Sequence, residues 1–169
     1  MKIIHLIENY ITKVEAFFLI LSLITMVLLA FLQVVLRNVF STGFLWADTF
    51  LRYLVVWVGF FGAAMATKQE RHISIEIFTK FVSPVKKKIV SIITSLVAAV
   101  VCYYMLLASL QFLFISLPED VVVFGTIPVS YFMSIIPIGF VLMMLHFIIR
   151  IITVIESIVN SKTQTEAEA

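Results

Sequence analysis

Charge is scarce in this sequence. Of its 169 residues only 13% are Asp, Glu, Lys or Arg, while 62% are apolar. A soluble domain carries about 25% charged and about 45–50% apolar residues. A surface this apolar does not stay in water, so lipid must cover much of it. Cysteine is nearly absent. The single Cys102 excludes an internal disulfide and lies inside an apolar run, with no metal-ligand cluster around it. It reads as a small buried apolar residue. A net charge of +2 is too small to point to nucleic acid. The length suits one domain.

The charges that do occur divide the chain into apolar runs. Residues 16–36 are 21 positions without a charge. At 1.5 Å per residue that is roughly 31 Å, about one hydrocarbon core. This run is too long for the h-region of a signal peptide, and no small-x-small cleavage site follows it, so it is expected to remain in the mature protein. A second span is expected over 47–67, with Arg52 snorkelling or paired. A third covers 89–117, long enough to tilt. The fourth covers 128–149, opening on the turn residues Gly125 and Thr126 and on Pro128, which suits a first helical turn. Pro137 falls inside it and predicts a kink, since proline removes a backbone donor. The fold class is therefore an all-α integral membrane protein of four transmembrane helices, one domain over 1–160 with a disordered tail over 161–169.

Orientation follows from Lys and Arg. Two precede the first span (Lys2, Lys13), and two lie between spans one and two (Arg37, Arg52). Six lie between spans two and three (Lys68, Arg71, Lys80, Lys86, Lys87, Lys88), none between three and four, and two after the last (Arg150, Lys162). A cytoplasmic 68–88 loop places ten basic residues inside and two outside, which puts both termini in the cytoplasm. Two flanking segments are amphipathic. Ile3, Ile7, Ile11, Val14 and Phe18 recur at helical spacing ahead of span one. Ile77, Phe78, Phe81, Val82 and Val85 do so in the 68–88 loop, beside Lys80 and Lys86 to Lys88. The first suits a helix at the cytoplasmic interface. The second suits either contact with anionic lipid or an arm on a partner subunit.

Ion-coupled transporters bury ionisable groups near the bilayer centre. The ten acids here (Glu8, Glu15, Asp48, Glu70, Glu76, Glu119, Asp120, Glu156, Glu166 and Glu168) all fall outside the middle of a span. The runs do not read as inverted repeats with broken helices. A membrane cytochrome needs two histidines at matching depth. His5, His72 and His146 fall toward the cytoplasmic side, and only His146 lies within a run. No nucleophile, base and oxyanion donors converge, so the chain reads as a non-enzyme with no metal or cofactor of its own. An independent small transporter or channel would have Gln33, Gln111, Thr25 and Ser109 as its path-lining candidates. A cytochrome-like membrane anchor subunit is the other alternative.

Span two supplies a packing face instead. Gly59–Ala63 and Gly62–Ala66 are small-xxx-small pairs, which let helix backbones approach closely in lipid. The partner is a helix of this chain or of another. Arg37, Asp48 and Arg52 sit at the same end of spans one and two. Asp48 and Arg52 are four apart on one helix face, and Asp48 lies near a helix N-terminus, where negative charge is favoured. The predicted role is structural, Asp48 pairing Arg52 and fixing the hairpin; the alternative is direct binding of an anionic substrate.

The stretch QVVLRNVFSTGFLWADTFLRYLVVWVGFFGAAMATKQERHISIEIF, from Gln33 onward, carries a resemblance. Arg37 closes span one; Trp46 followed by the acid Asp48 opens span two. Arg52-Tyr53 comes one turn later, then Gly62-Ala63-Ala64, then His72-Ile73, and Pro128 and Pro137 mark the last span. This ordered set resembles the small membrane subunit (DctQ type) of tripartite ATP-independent periplasmic (TRAP) transporters, with Asp48 where the family usually carries Glu. The resemblance implies a small permease subunit of a sodium-coupled symporter in the bacterial inner membrane. That subunit is the scaffold partner of a large elevator subunit, which holds the sodium sites. A periplasmic binding protein would deliver the organic acid, a dicarboxylate, a sialic acid or similar. On that reading Glu119 and Asp120, on the periplasmic loop, are candidates for docking the binding protein.

Overall fold

The computed structural model describes residues 2–78, 84–116, 122–123 and 127–167. Helix α1 spans Lys2–Phe40, α2 Leu45–Phe78, α3 Pro84–Gln111, α4 Val129–Met133 and α5 Ile135–Ala167. A π-helical turn, Phe112–Ser116, extends α3, and Val122–Val123 pairs antiparallel with Ile127–Pro128 as strands β1 and β2. Four segments are long and apolar enough to cross a membrane: Glu8–Phe40, Leu45–Lys68, Lys88–Ile115 and Val129–Val159.

These overlap the four runs read from the sequence and extend past them. The residues ahead of position 16 form no separate element: α1 is continuous from Lys2. Residues 68–78 likewise continue α2, and α3 begins at Pro84, a residue suited to a first helical turn. The backbone of α5 runs to Ala167, into the segment 161–169 read above as a disordered tail. Neither glycine nor proline follows Gly139 to stop it. The apolar stripe Ile77 to Val85, and Glu119 and Asp120, lie outside the residues whose side chains are described.

The long helices pack in a row. α1 lies along α2, α2 along α5, and α5 along α3, the α3–α5 contact being the most extensive. α1 meets α5 only marginally, and no contact of comparable extent joins α3 to α1 or α2. An apolar groove of about 400 Å³ therefore opens between α1 and α5 over α2, lined by Val14, Phe18, Trp57, Phe61, Ile138 and Leu142.

Near Pro137, where a kink is expected, the helix is interrupted at Ser134, which separates α4 from α5. Proline 137 cannot donate to the carbonyl four residues back, that of Met133, so the ladder opens there. The neighbouring Phe132 carbonyl accepts the indole N–H of Trp57 at 2.8 Å. Stacking of Phe132 on Tyr53, with ring centroids 5.4 Å apart, secures the same crossing. Below it, α5 comes so close to α2 that a Cβ on Gly139 would stand 2.4 Å from Phe60 Cδ1.

Helix α1 reverses the usual amphipathic logic. Its buried positions include Glu8, Glu15, Ser22 and Gln33, while Phe17, Ile20, Ile24, Leu28 and Phe31 are exposed. Seven-residue steps carry Glu8 to Glu15 to Ser22 on one helical face. With lipid as the surrounding solvent, the polar stripe turns to the protein and the apolar one to the outside.

Candidate partner interface

Two sets of polar side chains bracket the apolar span. At the end bearing the chain termini, Glu15 on α1 meets His146 on α5. The imidazole Nε2 lies 3.1 and 3.2 Å from the two carboxylate oxygens, and both side chains are about 2% exposed. Glu8, one heptad before Glu15, and Arg150, one turn after His146, are buried on the same two helices, and each is engaged in an interaction of its own. Lys68 on α2 donates to Asn9 Oδ1 and Thr12 Oγ1 of α1 at 3.1 and 3.0 Å. Glu15 falls one residue outside the uncharged run 16–36, and sequence reading saw it only as a flanking acid. The seven-residue spacing of Glu8, Glu15 and Ser22, facing a lone intraspan histidine, is the signal that could have identified this inward face.

The opposite end holds the α1–α2 hairpin. Ser41, at φ 51°, ends α1 in the left-handed region, and the Thr42 N–H turns back to Leu36 O at 3.2 Å. Gln33 clamps the connector: its amide donates to Phe44 O at 3.0 Å and accepts the Phe44 N–H at 3.2 Å. Gly43 sits close beside it: a Cβ there would stand 3.2 Å from Gln33 Nε2, a tight fit. Arg37 then donates to Asp48 Oδ2 at 2.6 Å. The hairpin is fixed by a charge pair, as read from the sequence, but the partner of Asp48 is Arg37 across the turn. Asp48 does not pair with Arg52 on its own helix. Asp48 and Arg52 share one side of α2, but the Asp48 carboxylate is taken by Arg37 across the turn, and Arg52 stays exposed. Glu15 and Arg37 are 22 residues apart on α1, roughly 33 Å along the helix and close to one hydrocarbon thickness.

The small residues of α2 are not used inside the chain. Around Gly59 and Gly62 no atom lies within 4 Å of where a Cβ would be, and Ala63 and Ala66 are exposed. Leu54, Phe61 and Ala64 form the buried side of α2 instead. Within the chain, the close approach is made at Gly139. The outward face of α2 is thus a stripe of Arg52, Val55, Gly59, Ala63 and Ala66, recurring every three or four residues.

The candidate path-lining residues do not come together. Gln33 is occupied by the hairpin backbone, and Ser109 donates to Leu106 O within α3. Gln111 is exposed on α3, and Thr25 lies on α1, which α3 does not pack against. Nε2 of His146, the intraspan histidine, is taken by Glu15. Among the described residues, no group of three or more His, Cys, Asp or Glu is placed to hold a metal.

Comparison with known proteins gives this architecture a family. Residues 26–157 match the model of the DctQ component of tripartite ATP-independent periplasmic transporters. Two Haemophilus influenzae proteins described as TRAP transporter small permease proteins are similar. One is 31% identical over 97 residues, 57% of this chain and 60% of the relative. The other is 27% identical over 105 residues, 62% of this chain and 64% of the relative. The chain thus matches under two thirds of the length of each. The matched residues 26–157 contain the hairpin with its Arg37–Asp48 pair, the open stripe of α2 and the kinked last span. The chain belongs to the DctQ component family of the tripartite ATP-independent periplasmic transporters.

Proposed function

We propose that this chain is the small scaffold subunit of a sodium-coupled organic-acid importer in the bacterial inner membrane. It sits with both termini in the cytoplasm and binds a large membrane subunit that holds the transport path and the sodium sites. A periplasmic binding protein delivers the substrate, and the chain itself catalyses no reaction. The observation that carries this reading is the open stripe of α2. Gly59 and Gly62 have empty space before them and Ala63 is exposed, although α1 and α5 flank the other side of the same helix. A slim helix face suits close approach of a second backbone, and dispersion between the two replaces the missing hydrophobic drive. The charge placement agrees with it. The Asp, Glu, Lys and Arg side chains described within the spans lie toward their two ends, which suits a static element better than an ion path.

The test is co-expression with a large TRAP membrane subunit from the same genome, with a tag on this chain. The large subunit should copurify, and uptake in proteoliposomes should need both membrane subunits and the binding protein. Gly59→Leu and Gly62→Leu should each reduce copurification while leaving the helicity and melting of the isolated chain unchanged. Transport by the large subunit alone at the full rate, or normal assembly of both leucine variants, would refute this assignment.

A further inference from the structure

Among the described residues, Arg52 is a charged side chain within a spanning helix that has no partner inside the chain. It lies seven residues into α2, about 10 Å along the axis from Leu45. It is exposed, and among the described residues it has no ion pair or hydrogen bond. Asp48, the acid one turn away, is already held by Arg37 at 2.6 Å. An arginine at this depth of a spanning helix is costly unless its head reaches water, a lipid phosphate or a carboxylate.

Its surroundings discriminate among these. The outward faces of α1 and α3 carry large side chains: Phe17, Leu28 and Phe31 on α1, and Val97, Val101 and Tyr104 on α3. Those are faces built for lipid. Arg52 heads a different kind of face, in which Val55 gives way to Gly59, with open space before it, and to the exposed Ala63. A helix seated there approaches the α2 backbone closely, which carries its own side chains to within reach of the guanidinium and excludes lipid from it. We infer that Arg52 marks the docking register of the large subunit, and that the large-subunit helix seated on α2 presents a carboxylate to it. This rests on the assembly proposed above and specifies the partner's chemistry at that site. The planar guanidinium takes a carboxylate in a bidentate fork, which fixes rotation and height together where the small residues alone would let the helices slide.

The experiment is copurification from cells co-expressing tagged chain and large subunit, with uptake in parallel. Arg52→Glu and Arg52→Gln should each lower the recovered large subunit, the former about tenfold or more, and Arg52→Lys should fall between Gln and wild type. Reversal to Arg of one acid in a large-subunit spanning helix should restore recovery with Arg52→Glu, and that reversal should be harmful beside wild-type Arg52. The helicity and melting of each variant chain in detergent report its folding. Arg52→Gln perturbs folding least, so it carries the comparison if Arg52→Glu misfolds. Wild-type recovery with both Glu and Gln variants would overturn the inference and leave the assembly standing. Rescue by reversing Glu119 or Asp120 of this chain would make the partner internal and overturn it too. Loss on Arg52→Glu that no large-subunit acid reversal repairs would assign Arg52 to a lipid phosphate. No copurification even of the wild-type chains would defeat the assembly itself.

Discussion

At the scale of single residues, the Glu15–His146 pair is the most consequential contact described. It links α1 to α5 where those helices otherwise scarcely touch, and both groups are enclosed. Removing one partner leaves the other buried without its hydrogen bond, a change that costs about 1–3 kcal/mol. Glu15→Ala and His146→Ala are each expected to destabilise the chain by an amount of that order. Glu15→Ala combined with His146→Ala should cost less than the sum of the two single changes. Thermal unfolding in detergent, followed by circular dichroism, completes the double-mutant cycle. Simple additivity would show that the two side chains do not interact. Gly139 is the second sensitive residue. Gly139→Ala drives a methyl into Phe60 and is expected to cost about 1–3 kcal/mol, as overpacking does. Gly59→Ala, with open space before it, should leave the melting of the isolated chain unchanged.

At the scale of elements, the α1–α2 hairpin is held by its connector and by one charge pair across it. Exchanging charges as Arg37→Asp with Asp48→Arg should recover part of what either single change loses. Exchanging Asp48 with Arg52 should recover nothing, because those two do not meet. Both members of the Arg37–Asp48 pair are substantially exposed, so the recovered term is below about 1 kcal/mol. A disulfide-trapping assay between cysteines placed at 38 and 46 reads hairpin geometry more sensitively than a melting curve. The last span makes a parallel case. Pro137→Ala restores the donor to Met133 and should close the interruption at Ser134, straightening α4 onto α5 and weakening the Trp57 bond to Phe132. Spin labels at Tyr131 and Ile148 should move apart; an unchanged distance would place the cause of the break elsewhere.

Elements were legible to different degrees for physical reasons. Four apolar runs announce four spans, because hydrocarbon thickness fixes their length. The interruption in the last was legible in Pro137. The ends of α1 and α2 were not, because a charged residue ends a hydrophobic run without ending a helix: backbone hydrogen bonds continue through Lys13 and Lys68 into water. Pairing was harder still. Asp48 has a partner four residues on by sequence and another across a turn by fold. Only the fold of the connector, which brings Arg37 to 2.6 Å from Asp48, selects between Arg52 and Arg37. Glu15 was hidden by its position at the border of a run, although its spacing from Glu8 and Ser22 was in plain view.

At the scale of the whole molecule, a row of four helices offers far more surface than it buries. Lipid covers apolar faces of this kind without a hydrophobic penalty, and on the proposed assembly some of them meet other subunits. The faces differ in kind. α1 and α3 carry bulky apolar stripes, whereas α2 carries a slim one with a cation at its head. On the proposed assembly, the loop with Glu119 and Asp120 faces the binding protein, and its two acids steer encounter with a basic patch there. Replacing both with Lys should lower uptake when binding protein is limiting, and excess binding protein should partly restore the rate. The defect should shrink at high salt, since exposed charges are screened beyond about 10 Å at 0.1 M. Uptake unaffected under limiting, low-salt conditions would reduce the loop to a connector.

The row also dictates an order of arrival. The first two spans can dock on each other as soon as α2 leaves the ribosome, since the Gln33 clamp and the Arg37–Asp48 pair need nothing made later. The third has no such option. Its main neighbour is α5, which is synthesised after it, so α3 must wait in the bilayer as a solitary helix until the C-terminal quarter of the chain emerges. Until then Ser91 and Ser95, which end up buried on α3, face lipid, and Trp57 has no carbonyl to hold. A nascent chain stalled before residue 128 should therefore show a crosslinkable α1–α2 hairpin beside an unengaged third helix, exposed to membrane quality-control proteases. Completion of the last helix would close that window from both sides at once, by joining α3 and α2 to the same strut.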